Sequence, residues 1–241
     1  MPQSKSIRMK TIVITGASKG IGKAICEKFA QEEFAIAACS RNEAELKLLK
    51  TELEKAGASK VIIKQTDVAK KAQVLSFAEF VKHEFNHVDI LVNNAGVFIP
   101  GKVTEEEEGA LESMIETNLY SAYHLTRGLM TAISKSDKPH IFNMCSTAST
   151  MALQNGGSYS ISKFAMLGMS KVLRAELKET NIKVTALMPG PTFTASWEGI
   201  DIPESRFMKS SEIADMLWAT YNLPGNAVVE EMVLRPQLGD I

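Results

Sequence analysis

The stretch from Thr11 to Gln31 constrains the fold more than any other part of the sequence. A short run rich in β-branched residues, Thr11 to Thr15, leads into a glycine cluster, and helical periodicity follows from Lys23. The pattern predicts a strand, a tight turn and a helix. Glycine lets such a turn bend sharply and approach a phosphate, and the helix N-terminus offers free N–H groups to the same anion. We therefore expect a nucleotide site, rather than a plain connecting turn, at Gly16, Ser18, Lys19, Gly20, Ile21 and Gly22.

The same alternation of apolar strands and amphipathic helices continues to the end of the chain. It predicts an α/β fold, a single doubly wound parallel sheet of the Rossmann type with helices on both faces. Because no Pro/Gly linker interrupts the pattern, residues 1–241 are expected to form one domain. Further strands are predicted at Phe34 to Cys39, Val61 to Gln65, Val88 to Val92, His140 to Ser146, Ile182 to Met188 and Ala227 to Leu234. The longer predicted helices are Asn42 to about Lys55, Thr104 to Lys135, Tyr159 to about Glu179 and Ser211 to Tyr221.

Residues after the second and third strands indicate which dinucleotide is bound. The second strand runs into Ser40 and Arg41, where a fold of this kind carries an acidic residue if it binds the ribose hydroxyls of NAD. An arginine here, with Lys19 in the glycine turn, pairs with the 2′-phosphate of NADP instead, so NADP(H) is favoured over NAD(H). Asp67 and Val68 follow the third strand, where Asp67 could accept from an adenine amino group, cap the next helix, or do both.

Composition and charge exclude several function classes. The chain has 27 basic and 28 acidic residues and a formal net charge of −1, so no general field draws it to nucleic acid or to a membrane surface. Three cysteines without a Cys-x-x-Cys spacing suit a reducing compartment, and the first ten residues have no apolar signal core, so we expect a cytoplasmic protein. The acidic run Glu105 to Glu108 is interpreted as a solvated helix start. His83 and His87, four apart, are interpreted as a surface helix end, and no metal site is predicted.

The stretch from Ser146 to Lys163 carries the chemistry. Tyr159 and Lys163 are four residues apart and would share one face of a helix. A free phenol has a pKa of about 10, and a fixed ammonium beside it favours the phenolate, which brings the group towards efficient proton transfer with a carbonyl oxygen. Ser146, at the end of a strand, could hydrogen-bond the same oxygen. Asn118 is a polar residue within an apolar helical pattern and needs hydrogen-bond partners.

Four motifs in this order resemble the short-chain dehydrogenase/reductase family over nearly the whole chain, in its NADP-binding form. They are Thr15-Gly16-x-x-x-Gly20-Ile21-Gly22, Asn93-Asn94-Ala95-Gly96, Ser146 with Tyr159-x-x-x-Lys163, and Pro189-Gly190. The resemblance implies that Tyr159 is the acid/base, that Lys163 tunes it and holds the nicotinamide ribose, that Ser146 steadies the carbonyl, and that Asn118 anchors the lysine through water. It also implies cofactor contacts at Asn94, Ala95, Gly96, Tyr159, Lys163, Pro189, Gly190, Thr192 and Thr194. Cys145 and Met188 depart from the residues commonest in the family.

The resemblance leaves the substrate open between members of the family. The layout is similar to 3-oxoacyl-carrier-protein reductases, whereas the end of the chain resembles bacterial sepiapterin-reductase-like members, in which case Asp240 could hold a pterin. The loop from Thr192 to Lys209, which holds Trp197, is the candidate lid. A dinucleotide-binding regulator without turnover is the alternative from another class. The resemblance also implies a homodimer or homotetramer.

Overall fold

In the computed structural model, which describes residues 8–194, 197, 199, 201–225 and 227–241, the strands form one parallel sheet. The seven strands lie in the order β3-β2-β1-β4-β5-β6-β7, and every neighbouring pair is parallel. This confirms the predicted α/β doubly wound sheet. The strands are β1 (Thr11–Thr15), β2 (Ala35–Ser40), β3 (Lys60–Gln65), β4 (Ile90–Asn93), β5 (His140–Met144), β6 (Lys183–Pro189) and β7 (Glu231–Leu234).

Helices cover both faces of the sheet because each has one apolar stripe to bury. On one face Phe29, Leu49 and Leu217 of three different helices join the core, and on the other Phe77 and Leu129 do so. Full burial of a side chain of this kind contributes about 1.5 to 3 kcal/mol. The helices are α1 (Gly20–Gln31), α2 (Glu43–Lys55), α3 (Lys71–Glu84), α4 (Ala110–Ile115), α5 (Ser121–Ile133), α6 (Gly157–Leu177) and α7 (Ser210–Tyr221).

The helix predicted from Thr104 to Lys135 is wrong at its start and in its continuity. Helix α4 begins only at Ala110, after Gly109 has taken a left-handed conformation with φ of 89°. A π-helical turn, Glu116–Tyr120, then separates α4 from α5. The acidic run Glu105 to Glu108 consequently lies in a loop and is not the first turn of a helix.

Two shorter predictions also need correction. His87 is not on a surface helix end, because α3 stops at Glu84 and the imidazole is 7% exposed, close to the Met9 carbonyl oxygen. The last strand begins at Glu231 and not at Ala227, and its side chains alternate between exposed and half-buried, as expected of an edge strand.

The strand order reverses direction beside β1. This strand pairs with β2 on one side and β4 on the other, so the connections that leave β1 and β4 diverge to opposite faces. In open parallel sheets the crevice at such a point, outside the carboxyl ends of the strands, is the usual place for a ligand. No helix in the described part of the chain is long and apolar enough to cross a membrane.

Candidate active site

A cavity of about 720 Å³ opens at the carboxyl ends of β1, β2, β3 and β4. Its size and position suit a dinucleotide, and it reaches from the glycine turn to the loop after β4. Most of the predicted cofactor residues line it together. They are Gly16, Ser18, Lys19, Gly20, Ile21, Gly22, Ser40, Arg41, Asp67, Val68, Asn94, Ala95, Gly96 and Thr194.

The glycine turn is packed so closely that side chains cannot enter it. A Cβ on Gly22 would lie 2.3 Å from the carbonyl oxygen of Gly16 and 2.6 Å from Nδ2 of Asn94. Gly16 and Gly20 also have positive φ angles, of 63° and 53°. Helix α1 starts at Gly20, and its N-cap, Lys19, makes no side-chain hydrogen bond to the first turn. The first N–H groups of α1 therefore face the cavity as an anion site.

Asn94 ties the glycine turn to the end of β4. Its Nδ2 donates to the carbonyl oxygens of Thr15, at 2.8 Å, and Gly16, at 3.1 Å. The Thr15 hydroxyl in return accepts from the backbone N–H groups of Asn94 and Ala95, each at 3.0 Å. Asn94 thus acts on the turn from behind, by fixing the backbone that lines the cavity.

The ends of β2 and β3 supply the polar groups at the far side of the cavity. Gln65 donates to the Arg41 carbonyl oxygen at 2.9 Å, which holds the loop that carries the guanidinium. Asp67 Oδ1 accepts from the Ala69 N–H at 3.1 Å. This local turn precedes α3, which begins at Lys71. The N-cap of α3 is Lys70 and not Asp67, so the predicted capping of that helix by Asp67 is wrong, and its adenine contact is still a prediction.

An acidic residue that the sequence analysis missed lies beside Lys19. Glu45, in the first turn of α2, places Oε1 3.0 Å from Lys19 Nζ and accepts from the Ser18 hydroxyl at 2.9 Å. Lys19, and then Ser18, hold the pKa of the Glu45 carboxyl below its ordinary value. The signal was available in the sequence, since Glu45 is the third residue of the helix that Asn42 caps.

Asn118 sits at the centre of the π-helical turn and connects three segments. Its Oδ1 accepts from the Val97 N–H at 2.7 Å, and its Nδ2 donates to the Val97 carbonyl oxygen at 3.0 Å and to the Ser162 hydroxyl at 2.9 Å. Both ends of the buried Asn118 amide therefore have hydrogen-bond partners, as expected from the sequence. A Cβ on Gly96 would lie 3.3 Å from Asn118 Oδ1 and 3.5 Å from Lys163 Nζ, so the cavity ends beside both residues.

Tyr159 and Lys163 lie on α6, as predicted. Lys163 is 4% exposed, and its Nζ donates to the Met144 carbonyl oxygen at the end of β5, at 2.8 Å. The same Nζ is 5.8 Å from the centroid of the Tyr159 ring. The ring of Phe98 packs edge-on against Tyr159, with centroids 4.9 Å apart. No carboxylate of the described residues pairs with this buried ammonium, which is an unusual and specific arrangement.

Ser146 follows β5 and caps a 3₁₀ helix, Thr147–Ser149. Its Oγ accepts from the Ala148 N–H at 3.2 Å, an arrangement in which the hydroxyl keeps its hydrogen for a second partner. Helix α6, which carries Tyr159, packs against this 3₁₀ helix.

The end of β6 closes the site on the side of the predicted lid. Thr192 donates from its hydroxyl to the Gly190 carbonyl oxygen at 3.0 Å, and its backbone bridges to Met208. Thr194 leans over the glycine turn, because a Cβ on Gly20 would meet its Cγ2 at 3.1 Å. The Trp197 ring packs against Phe207 with centroids 4.9 Å apart and planes inclined by 60°. Residues 195, 196, 198 and 200 of the predicted lid lie outside the described residues.

Comparisons with known proteins agree with this geometry. Residues 10–204 match the family model for short chain dehydrogenases. The chain belongs to the short-chain dehydrogenase family. It is 32% identical over 238 residues to a sepiapterin reductase of Chlorobaculum tepidum, with 95% of this chain and 97% of that protein covered.

Two solved structures are also similar to the chain. An L-sorbose reductase from Gluconobacter frateurii, complexed with NADPH and L-sorbose, has a TM-score of 0.88 and 28% identity over 95% of this chain and 96% of that chain. A single-residue variant of actinorhodin polyketide ketoreductase with NADPH has a TM-score of 0.87 and 25% identity over 97% of this chain and 98% of that chain. The chain is accordingly an oxidoreductase of the family.

Proposed function

We propose that this short-chain dehydrogenase uses NADP(H) to reduce a carbonyl group to an alcohol. The observation that carries the proposal is the buried Lys163 beside Tyr159, close to Gly96 in the wall of a cavity that Lys19 and Arg41 also line. The glycine turn fits a pyrophosphate because its backbone is tightly closed: a Cβ on Gly22 would overlap the Gly16 carbonyl oxygen and push the turn apart. Two structural neighbours whose names include NADPH support the choice of cofactor.

Different residues of the chain bind the cofactor and transfer the proton. Arg41 and Lys19 would hold the 2′-phosphate, which favours NADP(H) over NAD(H), and the N-terminus of α1 would face the pyrophosphate. When bound, the cofactor supplies the hydride at its nicotinamide ring. Tyr159 donates its hydroxyl proton to the oxygen of the reacting carbonyl, and Ser146 hydrogen-bonds the same oxygen.

Two further residues hold the acid in place. Lys163, fixed by the Met144 carbonyl oxygen, keeps a positive charge beside Tyr159 and is near enough to Gly96 to reach a ribose. Asn118 fixes the loop at Val97 that forms the adjoining wall. We assign Pro189, Gly190, Thr192 and Thr194 to the wall beside the nicotinamide.

For the substrate, one observation favours a pterin ketone. Asp240 and Thr147, the residue after Ser146, both lie beside Gly190. A Cβ built on Gly190 would be 2.8 Å from Asp240 Oδ1 and 3.5 Å from Thr147 Cγ2. The Asp240 carboxylate pairs with Arg235 at 2.9 Å through Oδ2, while Oδ1 is buried and has no hydrogen-bond partner among the described residues. A carboxylate oxygen without a partner can accept from an N–H donor of an aminopyrimidine edge. A 3-oxoacyl thioester is the other candidate class.

Oxidation of NADPH, followed by its absorbance, tests the proposal against a panel of sepiapterin, an acetoacetyl thioester, simple diketones and a steroid ketone. We expect turnover of a ketone, and the pterin reading adds that Asp240→Asn raises the KM for sepiapterin at least about fivefold. Asp215→Asn, at an exposed aspartate on α7, is the matched control and should change nothing. NADPH binding without turnover of any ketone would favour a catalytically silent dinucleotide-binding regulator. An unchanged sepiapterin KM in Asp240→Asn would refute the pterin contact alone.

We also propose that residues 1–241 act as one domain in the cytoplasm and assemble as a homodimer or homotetramer. Large apolar side chains are 43% to 55% exposed on α5 and α6, which packing within the chain does not explain. They are Tyr123 on α5 and Ile161, Phe164 and Val172 on α6. Light scattering would give the mass in solution, and Phe164→Glu should lower it; a monomer in the unmodified protein would refute assembly.

A further inference from the structure

One carboxylate of the acidic run Glu105 to Glu108 is used inside the molecule. Glu106 Oε1 accepts from the backbone N–H of Ser158 at 2.8 Å, and Oε2 accepts from the Ser158 hydroxyl. Glu106 is partly buried, whereas the neighbouring glutamates are exposed. The contact joins residues 52 positions apart, so it connects the loop after β4 to the first turn of α6.

Helix α6 needs this contact because it has no cap of its own. Its N-cap is Gly156, which has no side chain to accept from the first turn. The first N–H groups of a helix require an acceptor, and a cap normally bonds the second or third of them. Ser158 is the second residue of α6, so Glu106 provides from a distant loop what a local serine or aspartate usually provides. A negative charge at this end also suits the helix dipole.

The surrounding backbone holds Glu106 in this position. The Gly101 N–H donates to the Asn155 carbonyl oxygen at 2.8 Å, and the Gly157 N–H donates to the Gly101 carbonyl oxygen at 2.9 Å. A Cβ on Gly101 would lie 2.6 Å from Glu106 Cγ, and one on Gly157 would lie 2.7 Å from Glu106 Oε1. The loop and the helix start are therefore packed backbone to backbone around the carboxylate.

We propose that Glu106 is a positioning residue for the proton donor: its carboxylate fixes the first turn of α6 and thereby places the Tyr159 hydroxyl. Tyr159 directly follows Ser158, so a shift of this turn moves the phenol. Displacement of a reacting group by about 1 Å can cost on the order of 100-fold in rate. The inference rests on the proposed function, because it assumes that Tyr159 transfers the proton.

Steady-state kinetics and hydrogen exchange of Glu106 variants test the inference. Glu106→Ala should lower kcat about tenfold or more and leave the Kd for NADPH within about twofold, since the cofactor cavity is built from other segments. Glu106→Gln should recover most of kcat, because the amide oxygen still accepts from the Ser158 N–H. The matched control is Glu107→Ala, at an exposed neighbour, which should behave as the unmodified protein.

The exchange measurement separates this inference from the proposed function. In Glu106→Ala the Ser160 amide, which donates to the Gly156 carbonyl oxygen at 2.7 Å, should exchange faster, whether or not a substrate has been found. An unchanged kcat or unchanged exchange in Glu106→Ala would overturn the positioning role. Failure of the unmodified protein to reduce any ketone would instead refute the proposed function. If Glu106→Ala does not fold, Glu106→Asp, whose carboxylate is one methylene shorter, should show the same loss of kcat, and an unchanged kcat would again overturn the role.

Discussion

Replacing Gly22 by alanine tests how far the cofactor cradle depends on bare backbone. The new Cβ would lie 2.3 Å from the Gly16 carbonyl oxygen and 2.6 Å from Asn94 Nδ2. Carbon atoms pack best at about 3.5 to 4.0 Å, so the overlap with Gly16 is about 1 Å and involves backbone that no rotamer change can clear. The strain can be released only if the turn opens or if Asn94 loses its hydrogen bonds to the Thr15 and Gly16 carbonyl oxygens.

The size of the effect follows from this overlap. Forcing a methyl group into a packed site costs typically about 1 to 3 kcal/mol, which corresponds to about a 5-fold to 150-fold change in an equilibrium constant. Because the strain falls on the atoms that line the cavity, we expect the Kd for NADPH to rise about tenfold or more. Titration of NADPH fluorescence on the folded variant measures this directly.

Gly168→Ala is the matched control for this substitution. Gly168 lies within α6, and a Cβ there meets nothing within 4 Å. Alanine in a helix interior is about 0.5 to 1 kcal/mol better than glycine, so this variant should melt slightly higher and bind NADPH unchanged. A folded Gly22→Ala that binds NADPH as tightly as the unmodified protein would show that the glycine turn does not form the cofactor cradle.

Two further predictions concern charges. Glu45→Gln should strengthen NADPH binding by no more than about fivefold and leave NADH binding unchanged. The reason is that Glu45 competes with the 2′-phosphate for Lys19, in an ion pair whose lysine side chain is 64% exposed. Equal NADPH affinities of Glu45→Gln and the unmodified protein, measured by calorimetry, or the same gain in the control Glu43→Gln, would contradict this prediction. Burial, and then two lysines, lower the pKa of His140 to about 3, so between about pH 6.5 and pH 3 the unfolded chain binds a proton that the folded chain does not. Stability should therefore fall by up to about 1.4 kcal/mol per pH unit as the pH drops through that window. In urea titrations His140→Gln should lessen this slope, whereas replacing the exposed His83 by glutamine should not; an unchanged slope in His140→Gln would refute the assignment.

The sequence predicts the sheet and most of the candidate site because their signals are local. The glycine turn follows a β-branched strand directly, and Tyr159 and Lys163 share a helix face by their spacing alone. The burial of Lys163 could not be predicted from local spacing. The buried ammonium needs the Met144 carbonyl oxygen as acceptor, and this oxygen reaches the lysine only because β5 packs against α6. Spacing can predict the pair, but not the partner that holds it.

The contacts that the sequence does not predict are those between distant segments. Glu106 stands in a run of four glutamates, and nothing in the run distinguishes the one that reaches Ser158. The π-helical turn at Asn118 interrupts an apolar pattern that otherwise reads as one helix, because the amide's bonds to Val97 and Ser162 come from other segments. Local periodicity cannot predict hydrogen-bond partners that lie in distant segments.

Transfer of deuterium tests the central claim most directly. NADPH carrying deuterium at both hydrogen positions of nicotinamide C4 would be incubated with the protein and a ketone that it turns over, and the alcohol analysed by mass spectrometry. We expect one deuterium on the carbinol carbon. We expect Tyr159→Phe, which loses only one hydroxyl, to bind NADPH with a Kd within about fivefold of the unmodified protein but to form the labelled alcohol at least about 100-fold more slowly. Equal rates of labelled product in Tyr159→Phe and the unmodified protein would contradict the account.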